Sequence, residues 1–147
     1  MKVLVQRLSE ANVKVSKIII GEIKTGLVLL LVVGNNDSEK EADFLVNKII
    51  NLRIVEDSNG KMNRSLLDIK GELLVISQFT LMGDCRKGRR PSFINAAPPD
   101  MANRLYQYFI SQTKAKGVKT ETGEFQALMD VSLINNGPVT IMLDTEI

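Results

Sequence analysis

The run Leu27-Val28-Leu29-Leu30-Leu31-Val32-Val33 constrains this chain more than any other stretch, because it contains no polar position. A strand with one wet face alternates apolar and polar residues, so a run without alternation predicts a central strand covered on both faces. Lys24-Thr25-Gly26 turns the chain into it, and Gly34-Asn35-Asn36-Asp37 ends it. The run is far short of the roughly 20 apolar residues that span a bilayer, and no signal-peptide core precedes it. A soluble, cytoplasmic protein with no membrane partner is expected.

Two segments have the helical period that such a strand needs for cover. Ser38 followed three residues later by Glu41 fits a capping box, and Ala42, Leu45, Val46, Ile49 and Ile50 then recur on one face. After Pro98-Pro99-Asp100, the positions of Ala102, Leu105, Tyr106, Phe109 and Ile110 predict a second amphipathic helix, closed by Lys114, Lys116 and Gly117. The rest reads as strands. Residues 2–8 and 11–16 form a hairpin split at Ser9-Glu10, and residues 18–23 a short apolar strand broken at Gly21. Residues 52–55 end at an Asn59-Gly60 turn, residues 61–70 are a loop with at most one helical turn, and residues 72–81 are a strand with a polar far end. A short strand at 118–121 precedes a last pair, 125–134 and 139–143, reversed at Asn136-Gly137. The chain length of 147 residues suits one domain, with about seven or eight strands. The expected class is mixed α/β: a largely antiparallel sheet curled toward a barrel, with two amphipathic helices packed on it.

The chain has no histidine and one cysteine, Cys85, which removes Ser-His-Asp and Cys-His nucleophile systems as well as His-based or multi-Cys zinc sites. No cofactor or metal is expected. Cys85 also cannot form an intramolecular disulfide. Beside it, Arg86-Lys87-Gly88-Arg89-Arg90 forms a cationic loop suited to phosphates, although charge runs are commonly plain solvated surface. The net charge of +2 leaves any polyanion binding to a local patch of this kind. Neighbouring cations favour a Cys85 thiolate, but no histidine is present to serve as its base.

Three further features carry possible chemistry. Ser77-Gln78-Phe79-Thr80 places two hydroxyls, an amide and backbone N–H groups at a strand end. Thr80 reads better as an orienting group than as a nucleophile because no adjacent base is evident, whereas backbone amides can form an oxyanion hole unaided. Arg7 continues the apolar stripe of Val3 and Val5; it is either a strand end emerging into water or an arginine aimed at a carbonyl or phosphate. Asn135-Asn136-Gly137-Pro138-Val139-Thr140 has the Asn-Gly signal of a hairpin, but Pro138 cannot donate to a returning strand, which leaves a bulge, an edge or a cis X-Pro bond.

Ser77-Gln78-Phe79-Thr80-Leu81 together with Asn135-Asn136-Gly137-Pro138-Val139-Thr140 resembles the two signature motifs of the D-aminoacyl-tRNA deacylase family. The resemblance extends through Val5-Gln6-Arg7, Lys61-Met62-Asn63, Ser65 and Asp68, and Thr122-Gly123-Glu124-Phe125 with Met129. It implies a homodimeric α/β hydrolase that cleaves the ester between a D-amino acid, or glycine, and the terminal adenosine of tRNA. It further implies a cis Gly137-Pro138 bond that each subunit lends to its partner's site, holding the substrate's amino group and excluding L side chains. By the same resemblance Ser77, Gln78, Phe79 and Thr80 line the pocket, Met129 contacts it, and Arg7 steadies the cis turn. Arg86, Lys87, Arg89 and Arg90 would meet tRNA phosphates. The chain departs from the family pattern at Asn136, where Asp is usual, and at Gln126, where Gly is usual. The competing expectation is a noncatalytic nucleic-acid-binding module that uses the basic loop alone.

Overall fold

The computed structural model describes residues 1–146. Its spine is β1 (Lys2–Val15), and β2 (Ile18–Ile23) and β3 (Gly26–Val32) pair in turn along one edge of it. Two parallel crossovers follow. The first runs from β3 through α1 (Glu39–Asn51) and a small ribbon of β4 (Val55–Glu56) and β5 (Met62–Arg64) to β6 (Glu72–Ser77). The second runs through a 3₁₀ turn (Phe79–Met82) and α2 (Pro99–Ala115) to β7 (Thr120–Thr122). The last strand, β8 (Asp130–Asp144), pairs antiparallel with the other edge of β1.

The apolar run behaves as its composition demands. Leu27, Leu29 and Leu31 join Leu73, Val75 and the buried faces of both helices in one core, while Val28 joins Leu8, Val13, Leu74 and Ile76 in a second core on the opposite face. That second face is closed because the sheet curls until β2 crosses β7. At Gly21 an added Cβ would lie 2.7 Å from the Thr122 carbonyl oxygen, so only glycine permits the approach. The result is a mixed, nearly closed barrel-like sheet with both helices on one side. The expected α1 capping box is formed, and all five of its expected apolar positions are buried. Among the described residues no helix is long and apolar enough to cross a membrane.

Several local expectations are corrected. Ser9-Glu10 is not a turn: β1 runs straight through it, because β8 continues to pair with β1 on the far edge while the near edge passes from β3 to β2. The reversal lies instead at Ser16-Lys17, both left-handed with φ of 49° and 68°. The strand expected at 52–55 is reduced to β4, paired with β5 inside the segment read as a loop. Phe79, Thr80 and Leu81 lie in the 3₁₀ turn and not in β6. Residues 125–129 precede β8 and are not strand.

The largest correction concerns the final pair of strands, which is one strand. Asp130 pairs with Lys14 and Asn135 with Leu8; beyond an irregularity, Thr140 pairs with Gln6 and Asp144 with Lys2. Both apolar runs prefer β1 to each other, so the Asn-Gly signal is spent on a bulge in which residues 136–139 stand opposite Arg7 alone.

Candidate functional site

Two features carry the candidate site, and within one chain they are separate. The first is a cavity of about 720 Å³ at the C-terminal ends of β3 and β6, within the size range of small-molecule sites. Ser77, Gln78, Phe79 and Met129, all named by the motif reading, line this cavity. The Gln78 amide N–H donates to the Leu31 carbonyl at 2.8 Å, which ties the motif to the central strand. The 3₁₀ turn begins directly afterwards and leaves its first amides, those of Phe79 and Thr80, without acceptors inside the turn. Thr80 itself is not among the lining residues; its hydroxyl accepts from Gln78 Nε2 at 2.5 Å, so it fixes the amide that does line the wall.

Other walls come from residues to which the motif reading assigned no part in the site. Phe93 packs edge-on against Phe79 with ring centroids 5.0 Å apart, leaving Phe79 57% exposed at the mouth. Pro98, Pro99 and Ala102 bring the start of α2 to the rim, and Tyr106 and Phe125 close the floor. Phe93 carries no sequence signal, because it reaches Phe79 through a loop anchored by the Ala97 amide on the Val33 carbonyl at 2.9 Å. Gly123 lies behind Met129: an added Cβ there would sit 2.5 Å from Met129 Sδ. Gln126, at one departure from the family pattern, lines the cavity with φ of 65°, a left-handed conformation that explains why glycine suits the position.

The cavity is electrically quiet. Among the described residues, Tyr106 is the one titratable side chain in its wall. Burial pushes its phenol up to about 12, outweighing hydrogen bonding that favours ionisation, and its hydroxyl donates to the Val75 carbonyl at 2.8 Å. The wall therefore supplies amides, a hydroxyl, aromatic faces and main-chain dipoles, and among the described residues it holds no carboxylate or amine to act as general base.

The second feature is the bulge. The Gly137–Pro138 peptide is cis, with Gly137 at φ of 125°. Arg7 does not emerge into water: it is 8% exposed, and its guanidinium organises the bulge. Nε donates to the Asn136 carbonyl at 3.0 Å, Nη1 to the Ile54 carbonyl at 2.9 Å, and Nη2 lies 3.5 Å from Glu56 Oε1. Because Asn136 contributes its main chain, the second departure from the family pattern leaves this contact intact. Asn135 clamps the bulge from within, accepting from the Val139 amide at 3.1 Å and donating to the Thr140 hydroxyl at 2.9 Å. Gly137 and Pro138 are exposed and do not line the cavity of their own chain.

The basic loop forms a third, distinct surface. Asp84 and Ser92 exchange amide-to-carbonyl hydrogen bonds at 2.8 and 2.9 Å and close its base. Arg86 folds back on Asp84 through Nε and Nη2 at 2.9 and 2.7 Å, which holds the Asp84 carboxyl down at about 2. Lys87, Arg89 and Arg90 are exposed and make no ion pair among the described residues. Cys85 is exposed beside them.

A family model described as D-Tyr-tRNA(Tyr) deacylase matches residues 4–144. A protein named D-aminoacyl-tRNA deacylase from Thermosipho melanesiensis is 56% identical over 147 residues, covering 99% of this chain and 98% of the relative. One of the same name from Geotalea uraniireducens is 59% identical over 145 residues, covering 99% and 94%. Among solved structures, one described as a c-Myc DNA unwinding element binding protein superposes with a TM-score of 0.92 at 39% identity, covering 99% of both chains. A second, described as a probable eukaryotic D-amino acid tRNA deacylase, shares the fold with a TM-score of 0.85 at 16% identity, covering 97% of both chains.

Proposed function

Because the chain belongs to the D-Tyr-tRNA(Tyr) deacylase family, we propose that it is a hydrolase that releases D-amino acids from aminoacyl-tRNA, acting in the cytoplasm as a homodimer whose sites are shared. The cavity takes the aminoacyl-adenosine end of the tRNA. Water attacks the acyl carbon, the bond to the ribose oxygen breaks, and the ribose oxygen takes a proton. An aminoacyl ester is already activated, so orientation and stabilisation of the developing oxyanion suffice, with the neighbouring ribose hydroxyl assisting. The amides of Phe79 and Thr80 and the side chain of Gln78 are the donors for that oxyanion; Thr80 orients Gln78. The quiet cavity wall is the observation that carries this reading, since it suits a reaction that needs dipoles and no protein base.

The bulge completes the site from the partner. In an isologous dimer each exposed Gly137-Pro138 would enter the cavity of the other chain, receive the substrate's amino group through main-chain atoms and leave room for hydrogen alone on one side of Cα. An L side chain clashes there, while D-aminoacyl and glycyl esters pass. The free edge of β8, with Ile134 and Met142 53% and 48% exposed, is consistent with cover by a second copy. Lys87, Arg89 and Arg90 contribute a sequence-independent attraction for the acceptor-end phosphates. The test is release of free amino acid from D-, L- and glycyl-tRNA side by side. Loss of the D and glycyl esters with the L ester intact is expected, and equal rates on D and L would contradict the reading.

A further inference from the structure

The outer side of α1 has a groove of about 490 Å³ that plays no part in the site described above. Phe44, Asn47, Lys48, Asn51, Leu52 and Arg53 line it, and none of them is acidic. Phe44 is 55% exposed, and Lys48 Nζ lies over its ring at 5.7 Å from the centroid. Together they present an aromatic face and a cation, the pair that single-stranded nucleic acid uses for stacking and phosphate neutralisation. Arg53 is held ready: Nε donates to the Asn63 carbonyl at 3.1 Å and Nη2 to Asn63 Oδ1 at 2.8 Å, leaving Nη1 without a partner among the described residues. A guanidinium fixed in this way forfeits little entropy when it meets a phosphate.

The surrounding carboxylates keep their charge but are each held by other partners. Asp68, its carboxyl held below the usual range chiefly by the Ser65 amide and hydroxyl and also by the Arg64 and Arg53 charges, accepts from the Ser65 amide at 2.8 Å. Asp43 accepts from the Tyr108 hydroxyl at 2.8 Å, and Glu56 faces Arg7. Asp57 accepts from the Asn59 and Lys61 amides at 2.9 and 3.0 Å and from Asn63 Nδ2 at 2.8 Å.

The groove is joined to the bulge by one side chain. Ile54, directly after Arg53, accepts from Arg7, which also holds Asn136. A bulge seated at a partner's cavity thus carries Ile54, and with it the Arg53 end of the groove, on the same Arg7 side chain. We propose that this groove binds the phosphodiester backbone of the tRNA whose acyl end occupies the partner's cavity, so that both protomers grip one substrate. The inference rests on the shared-site reading above and extends it to a surface outside the cavity.

The experiment compares D-tyrosyl-tRNA with D-tyrosyl-adenosine, which has the same scissile ester and no phosphodiester. In Lys48→Gln/Arg53→Gln protein, KM for the tRNA should rise about tenfold, and the log–log salt dependence of kcat/KM should flatten by about 0.7–0.9 per cation removed. Turnover of the adenosine ester should stay at the wild-type level. Arg53→Lys, which keeps the charge, should keep the salt dependence. An unchanged KM and salt slope on tRNA would overturn the inference, as would equal losses on both substrates. A shift from dimer to monomer in sedimentation of the double variant would overturn it too, by making the groove a contact between copies. Wild-type protein inactive on both D esters would bring down the parent reading, and this one with it, whereas wild-type activity with an indifferent double variant removes this inference alone.

Discussion

Replacing Arg7 with Met keeps much of the side chain's bulk and removes every donor. The Ile54 carbonyl is buried and loses the Nη1 donor at 2.9 Å; an acceptor stranded in this way costs about 1–3 kcal/mol. The Asn136 carbonyl loses Nε at 3.0 Å, but it sits on an exposed bulge where water can substitute, so about 1 kcal/mol is appropriate. The Glu56 contact, 3.5 Å long with its carboxylate side chain 54% exposed, adds little. The sum is about 2–4 kcal/mol, which at a guanidinium m-value of about 3 kcal/mol/M lowers the unfolding midpoint by about 1 M. Since the same side chain orients the bulge, kcat/KM for D-tyrosyl-tRNA should fall by at least about tenfold. Arg7→Lys should recover little of either quantity, because one ammonium cannot span acceptors on Asn136, Ile54 and Glu56. An Arg7→Met protein within about 0.5 kcal/mol of wild type and fully active would refute the idea that this guanidinium organises the bulge.

Gly123→Ala should press on the flexible end of Met129 and drive it into the cavity; the expected effect is a severalfold rise in KM with native stability, read by steady-state kinetics and thermal melts. The kcat profile between pH 6 and 9 should show no ionisation belonging to the protein, because Tyr106, pushed up to about 12, is the one titratable wall residue of the cavity among the described residues; an inflection that persists unmoved when the substrate's amine is changed would contradict this. Asp84→Asn should free Arg86 and steepen the salt dependence of tRNA binding by about 0.7–0.9, measured by filter binding. The Asp84 carboxyl is depressed in the folded protein from 3.8 to about 2 by Arg86, so its stabilising contribution is present above about pH 4 and lost as pH falls through 2. Acid titration of wild type against Asp84→Asn, followed by circular dichroism, should show the variant lacking that component.

What could be read in advance followed from how local each determinant is. The α1 capping box and the apolar stripes of both helices depend on residues three and four apart, and they formed as read. The aliphatic run at 27–33 announced its double cover through composition alone. The strand turns were less legible because competing partners decided them. Asn136-Gly137 has the strongest hairpin signal in the chain, yet its flanking runs pair with β1, and a partner at the other end of the chain cannot be seen in a local motif. Ser16-Lys17 makes the real reversal without glycine or asparagine. Sequence motif and cavity wall coincide at Ser77, Gln78, Phe79 and Met129. Phe93, Tyr106 and Gly123 entered it through packing, and Arg7 found its acceptors on β4's approach and the bulge, elements that only the tertiary fold brings together.

The account stands most directly on the claim that one chain's bulge completes another chain's cavity. The measurement is subunit complementation between Gln78→Ala protein, impaired in the cavity, and Arg7→Met protein, impaired at the bulge, assayed on D-tyrosyl-tRNA alone and after mixing and exchange. With random pairing, half of the dimers are mixed and each has one intact composite site, so the mixture should recover about a quarter of wild-type activity while each variant alone stays near background. A mixture no more active than the mean of its two components would contradict the shared site.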